Sequence, residues 1–179
     1  MKTQNSNKRK ILLLCFCALF VAIICACTLI AIPLPIGFFN LGDAACLMAA
    51  YVLGPVFGTM CAAIGSALAD LLLGYAVYAP ATALVKGAMA LCACLIFRAL
   101  TKKGKLQILP LALAAVVGEA IMVAGYFVYE ALVLGFGMGA LASVLGNTTQ
   151  GVCGAVISTL LMTVFVKVPQ LKKALDYFS

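Results

Sequence analysis

Apolar residues run along this chain in long, nearly unbroken stretches that stop at Pro and Gly. The first, Ile11 to Ile32, ends at Pro33 and Pro35. The segment PLPIGFFNLG follows, and then a shorter run from about Asp43 to Leu53. Gly54-Pro55 breaks that run, and Pro55 suits the first position of a new helix ending near Gly74. Pro80 opens the next, which continues to about Phe97. The last two runs extend from about Ile108 to Leu134 and from Ala140 to Val166, with GFGMG as the turn between them. Crossing a hydrocarbon core of ~30 Å takes roughly 20 apolar residues in a helix. The pattern predicts an all-α membrane protein of six transmembrane helices, one domain over residues 1–179, with no internal repeat.

The run before Gly54 is the short one. From Leu41 to Leu53 it reaches only ~20 Å at 1.5 Å per residue, so it and its successor could form one broken span, giving five in total. Charge decides between the counts. Basic residues cluster as Lys2, Lys8, Arg9 and Lys10, then Arg98, Lys102, Lys103 and Lys105, then Lys167, Lys172 and Lys173; Lys86 stands apart. Six spans bring all three clusters to one side, whereas five move the last two across. The tendency of cytoplasmic loops to be basic favours six, with both termini cytoplasmic.

Composition strengthens the membrane assignment. Hydrophobic residues are 66% and charged residues 9%, against about 25% charged in a soluble domain. The net charge of +7 lies beside apolar runs, as in loops facing anionic lipid, rather than as a nucleic-acid surface. The first run is longer than the ~7–15 residues of a signal-peptide core. A lipoprotein cleavage box ending at Cys27 would need a small residue where Cys25 stands, so a retained helix is expected.

Little chemistry of bond-making is present. The nine cysteines sit inside apolar runs, several as C-x-C pairs (Cys15/Cys17, Cys25/Cys27, Cys92/Cys94), and there is no His. Residues two apart on a helix point in different directions, so these cysteines read as small hydrophobes. No catalytic pair, metal-ligand spacing, cofactor motif or G-x-x-x-x-G-K-[ST] loop occurs. The chain reads as a binder without an energy source of its own.

Ionisable residues inside a bilayer are costly and are functional candidates by default. Asp70, Lys86, Glu119 and Glu130 are such residues. Asp70 and Lys86 have similar depths on neighbouring helices, so two readings stand for them: an ion pair that fixes packing, or ligand contacts. Glu119, Met122, Tyr126 and Glu130 share one helix face. Asn147, Gln150, Gly151 and Gly154 share a face of the last helix, and together these suggest a small polar pocket beside glycines. Hydrogen bonds between helices are the other reading. Ala18, Ala22 and Ala26 form a stripe of small residues at four-residue spacing, suited to close contact with a partner helix; Gly58, Ala62, Ser66 and Asp70 form a second, suited to packing within the chain.

The stretches FNLGDAACLMAAYVLGPVFG, GSALADLLLGYAVYAPATALVKG, GEAIMVAGYFVYE and GNTTQG resemble the substrate-binding S components of energy-coupling-factor vitamin transporters. The similarity lies with the branch of pyridoxine and hydroxymethylpyrimidine carriers and covers nearly the whole chain. It implies a six-helix subunit of a bacterial cell membrane that binds a small-molecule vitamin from outside. Such a subunit associates with a membrane coupling subunit and two cytoplasmic ATPase subunits, and topples to release its cargo. Ala18, Ala22 and Ala26 match the stripe that meets the coupling subunit, and the loop before Asp43 matches the outer gate. The expected ligand-binding residues are Asn40, Asp43, Tyr78, Lys86, Glu119, Tyr126, Glu130, Asn147 and Gln150. The chain lacks Trp, so ring stacking falls to Tyr or Phe.

Two rival functions differ in class. A small secondary carrier would use Glu119 or Asp70 as a proton relay and would move substrate on a proton gradient alone; short length and absent repeats oppose it. A membrane enzyme would use the carboxylates to make a product, and missing catalytic pairs oppose it.

Overall fold

The computed structural model describes residues 2–30, 32–33, 38–101 and 107–169. Five helices follow one another: α1 (Lys2–Leu29), α2 (Gly42–Leu72), α3 (Ala79–Leu100), α4 (Ile108–Val128) and α5 (Leu141–Phe165). One π-helical turn, Tyr129–Val133, prolongs α4, and a 3-10 turn, Gly137–Ala140, leads into α5. Between α1 and α2, Ile32–Pro33 pairs antiparallel with Phe38–Phe39 in a minimal hairpin. All five helical stretches are long and apolar enough to cross a membrane. Lys102, Lys103, Lys105, Lys172, Lys173 and much of the loop before Asp43 lie outside the described residues.

α2 is not one rod. Gly54 has φ 83° and ψ −178°, a backbone state open essentially to glycine alone, and Pro55 follows. The limbs on either side, residues 42–53 and 55–72, fold back on each other. A Cβ at Gly58 would stand 2.5 Å from the Ala50 Cα, and Cys46 Sγ meets Ser66 Oγ at 3.4 Å. A straight helix would hold residues 50 and 58 about 12 Å apart.

The first limb is the centre of the molecule. Every residue from Gly42 to Gly54 is buried, as expected of a helix apolar on all sides; its alanines and glycines let neighbours approach. α2 packs against α1, α3 and α5. The first limb runs alongside α3, because Asp43 meets Lys86 at one end and the Gly54 elbow meets the Arg98 guanidinium at the other. The limb's length is thereby explained: it starts at the depth of Lys86, well inside the bundle.

Elbow, the end of α3 and the start of α4 share one end of the bundle, where Tyr51 stacks on Phe97 at 5.1 Å and reaches the Leu111 carbonyl at 3.5 Å. α1 packs on the second limb, with Cys61 donating to the Cys17 carbonyl at 3.6 Å and Gly65 abutting Ile24. Phe20, Ile24 and Cys25 form its buried face. Ala18, Ala22 and Ala26 all point outward and are exposed.

Candidate functional site

Asp43, in the first turn of the buried limb, is fully buried and joins three elements. Its Oδ1 accepts a hydrogen bond from Lys86 Nζ of α3, forming an ion pair. Its Oδ2 accepts one from Gln150 Nε2 of α5 at 2.8 Å. Gln150 Oε1 in turn accepts from Asn40 Nδ2 at 3.0 Å, and Asn40 Oδ1 accepts from the Gly42 N–H at 2.9 Å. The string thus ties the end of the α1–α2 loop to the core. Lys86 lies 5.5 Å from the centre of the Tyr126 ring, a cation–π distance, and Tyr126 donates to Thr82 Oγ1 at 3.0 Å.

The partner of Lys86 is therefore Asp43, and not Asp70. Similar depths on neighbouring helices suggest Asp70 as the partner, but Asp43 begins its helix at the depth of Lys86 and takes that place. Asp70 is half-buried beside Thr82, and one of its oxygens has no partner.

Glu119 of α4 stands against Asp43 of this string, with the two carboxyls in hydrogen-bonding reach of each other. It is 5% exposed, and among the described residues no N–H donor reaches its carboxyl oxygens. Glycines on α5 make room for it: a Cβ at Gly154 would be 2.6 Å from Glu119 Oε1 and 2.9 Å from Asp43 Cβ. Glu119 and Gly151 also line an open groove of about 550 Å³ between α4 and α5, whose other walls include the exposed Val116, Leu141 and Val152 on the outer face of the bundle. Lys86, Tyr126, Asn147 and Gln150 are not in its walls. The polar pocket expected from the sequence is thus largely closed on itself by internal pairing, and the open space lies on its flank.

The remaining candidates gather elsewhere. Glu130, in the π turn, is buried and accepts from the Ser143 hydroxyl. Tyr129 donates to the Val77 carbonyl at 2.5 Å, and Tyr78 packs against Tyr75 and Tyr129 at 6.5 and 5.7 Å. Tyr78 precedes α3, and burial, followed by the nearby Glu130, raises its phenol above the usual range. This cluster closes the end of the bundle opposite the elbow. Asn147 is half-buried and has no hydrogen bond among the described residues. Thr82 and Ser143 were missed in the sequence; Thr82, four residues before Lys86 on one helix face, carried a usable signal. Among the described residues, no group of three His, Cys, Asp or Glu could hold a metal.

The arrangement suits binding: charge neutralised in place, directional donors and acceptors, and a second buried carboxyl beside an apolar groove. Residues 8–167 match the family described as the ECF-type riboflavin transporter, S component. The match names riboflavin, and not the pyridoxine and hydroxymethylpyrimidine branch that the sequence motifs resembled. A curated protein of Pyrococcus woesei, described as an uncharacterized protein in the gap 3' region, is 32% identical over 131 residues. That alignment covers 72% of this chain and 84% of the Pyrococcus protein. S components are non-enzymatic, substrate-binding subunits of vitamin transporters. With the match taking in all of the described bundle except the first residues of α1, this chain belongs to the S-component family of ECF-type riboflavin transporters.

Proposed function

We propose that this protein is the vitamin-binding subunit of an ATP-driven importer in a bacterial cell membrane, working with a membrane coupling subunit and two cytoplasmic ATPase subunits. Riboflavin is the first candidate ligand, because the matched family is described by it; pyridoxine and hydroxymethylpyrimidine come second. The observation that carries the reading is the buried polar string Asn40–Gln150–Asp43–Lys86 with the Glu119 carboxyl buried beside it. Polar groups are kept at such depth in a membrane protein mainly for a ligand or a pathway.

Six crossings with both ends cytoplasmic are part of this proposal. The folded-back α2 supports them by adding one reversal of direction to five helical stretches. Exposure of Ala18, Ala22 and Ala26 supports their use against a partner, since no packing inside the chain consumes them.

Native mass spectrometry of the purified protein tests the reading, with one retained vitamin per chain as the expected result. In cells supplying the ATPase module, Ala22→Trp is expected to keep that retained vitamin and abolish uptake. Equal loss of both would make the stripe an internal seam. Uptake in vesicles driven by a proton gradient without ATPases would instead support the secondary carrier.

A further inference from the structure

Asp43 accepts a hydrogen bond from α3, through Lys86, and another from α5, through Gln150. From α4 comes Glu119, whose carboxyl lies in hydrogen-bonding reach of the Asp43 carboxyl. The two meet over a notch that Gly154 leaves open, since a Cβ there would stand 2.6 Å from Glu119 Oε1 and 2.9 Å from Asp43 Cβ. Both carboxyls are buried. As two anions they would repel in a water-poor site, and neither would have a proton to give the other. The groups that face Glu119 offer little relief. The first limb brings Asp43, Cys46 and Tyr51, and α3 brings Lys86. α5 brings Gly151, Gly154 and the uncharged Gln150. Lys86 is the one cation among these, and it pairs with Asp43.

We propose that Glu119 is a proton-carrying positioning residue: as the neutral acid it donates a hydrogen bond to the Asp43 carboxylate, so that α3, α4 and α5 each give one donor to the same side chain. An ionised carboxylate has room for three donors on its two oxygens. The proton belongs to Glu119 because a protonated Asp43 would turn one acceptor oxygen into a donor, against the Lys86 ammonium and the Gln150 amide that already point at it. Asp43, Lys86 and Glu119 together then carry no net charge, which suits their depth in a bilayer. The proton takes the place of a second buried cation. Gln150 also holds Asn40 at the end of the α1–α2 loop, so the seating of that loop rests on the same hub. Removing the proton replaces an attraction between α4 and the first limb by repulsion between like charges. The inference stands on the packing of the hub and is independent of which vitamin is bound.

Infrared spectroscopy and thermal melting of the purified full-length chain are the test, on wild type, Glu119→Gln and Glu119→Leu. At neutral pH the wild type is expected to show the carbonyl stretch of a protonated carboxyl that Glu119→Gln lacks, and labelling glutamate with carbon-13 is expected to shift it. Gln keeps an N–H to donate to Asp43, so its melting midpoint is expected within about 2 °C of wild type. Leu removes the donor, and its midpoint is expected to fall by roughly 3–12 °C, the usual effect of losing a hydrogen bond to a charged group. Where alkali removes the infrared band, the wild-type midpoint is expected to fall relative to that of Glu119→Gln, which has no such proton to lose. Identical carboxyl bands in wild type and Glu119→Gln would overturn the proposal, as would a band that ignores the glutamate label. So would a Gln variant as unstable as Leu, which would make Glu119 an anion, or a band that vanishes in alkali without any relative fall in stability. The comparisons of wild type with Gln decide even if the Leu variant does not fold.

Discussion

Removing the Asp43 carboxylate alone strands the Lys86 ammonium in the most enclosed part of the protein, and removing Lys86 strands the carboxylate. Breaking a buried pair in this way costs about 3–5 kcal/mol, whereas replacing both partners is often close to neutral. Asp43→Asn and Lys86→Met are each expected to lower the temperature at which the detergent-solubilised protein stays monodisperse, and the double variant to recover most of the loss. Singles as stable as wild type would show that the pair contributes little to folding. At this scale the sequence revealed which residues were out of place in lipid, since Lys86 and Glu119 are conspicuous among apolar neighbours. It did not reveal who meets whom. Pairing depends on the depth at which each helix starts, and Asp43 begins its helix deep in the bundle.

Helix boundaries were marked by Pro and Gly, and the elbow at Gly54-Pro55 is the clearest example. Its φ of 83° predicts that Gly54→Ala is destabilised by roughly 1–3 kcal/mol; the added methyl would also stand 2.7 Å from the Arg98 guanidinium. Thermal melting of the variant checks this, with Gly139→Ala as control because nothing lies within 4 Å of that site. A melt unchanged by Gly54→Ala would mean that the limbs tolerate another turn. Two features escaped the sequence. α1 starts at Lys2 instead of near Ile11, because Lys, Arg and Gln propagate a helix well although they are not apolar. The π turn at Tyr129–Val133 has no marker, as a shift in backbone hydrogen bonding there coincides with contacts Glu130 and Tyr129 make to distant residues.

Across the whole molecule, the elbow determines on which side each later loop emerges. An impermeant thiol reagent, applied to variants with one engineered exposed cysteine, is expected to label a site at Gly137 from outside and a site at Lys103 only from inside. Labelling of both from the same side would end the six-crossing proposal. Apart from the buried Lys86, the described basic side chains agree with one shared face: Arg98 lies at the elbow, and Lys10 and Lys167 are exposed towards the ends of α1 and α5 directed that way. The buried first limb also bears on how the protein is made. Residues 42–53 are too short to cross the hydrocarbon core alone, and they fold as a hairpin with residues 55–72. Along the chain, Lys86 lies 43 residues and Gln150 107 residues beyond Asp43. Asp43 can therefore meet its cation only once α3 has begun, and its second hydrogen bond forms only when α5 arrives, so a late helix completes the first turn of the central one.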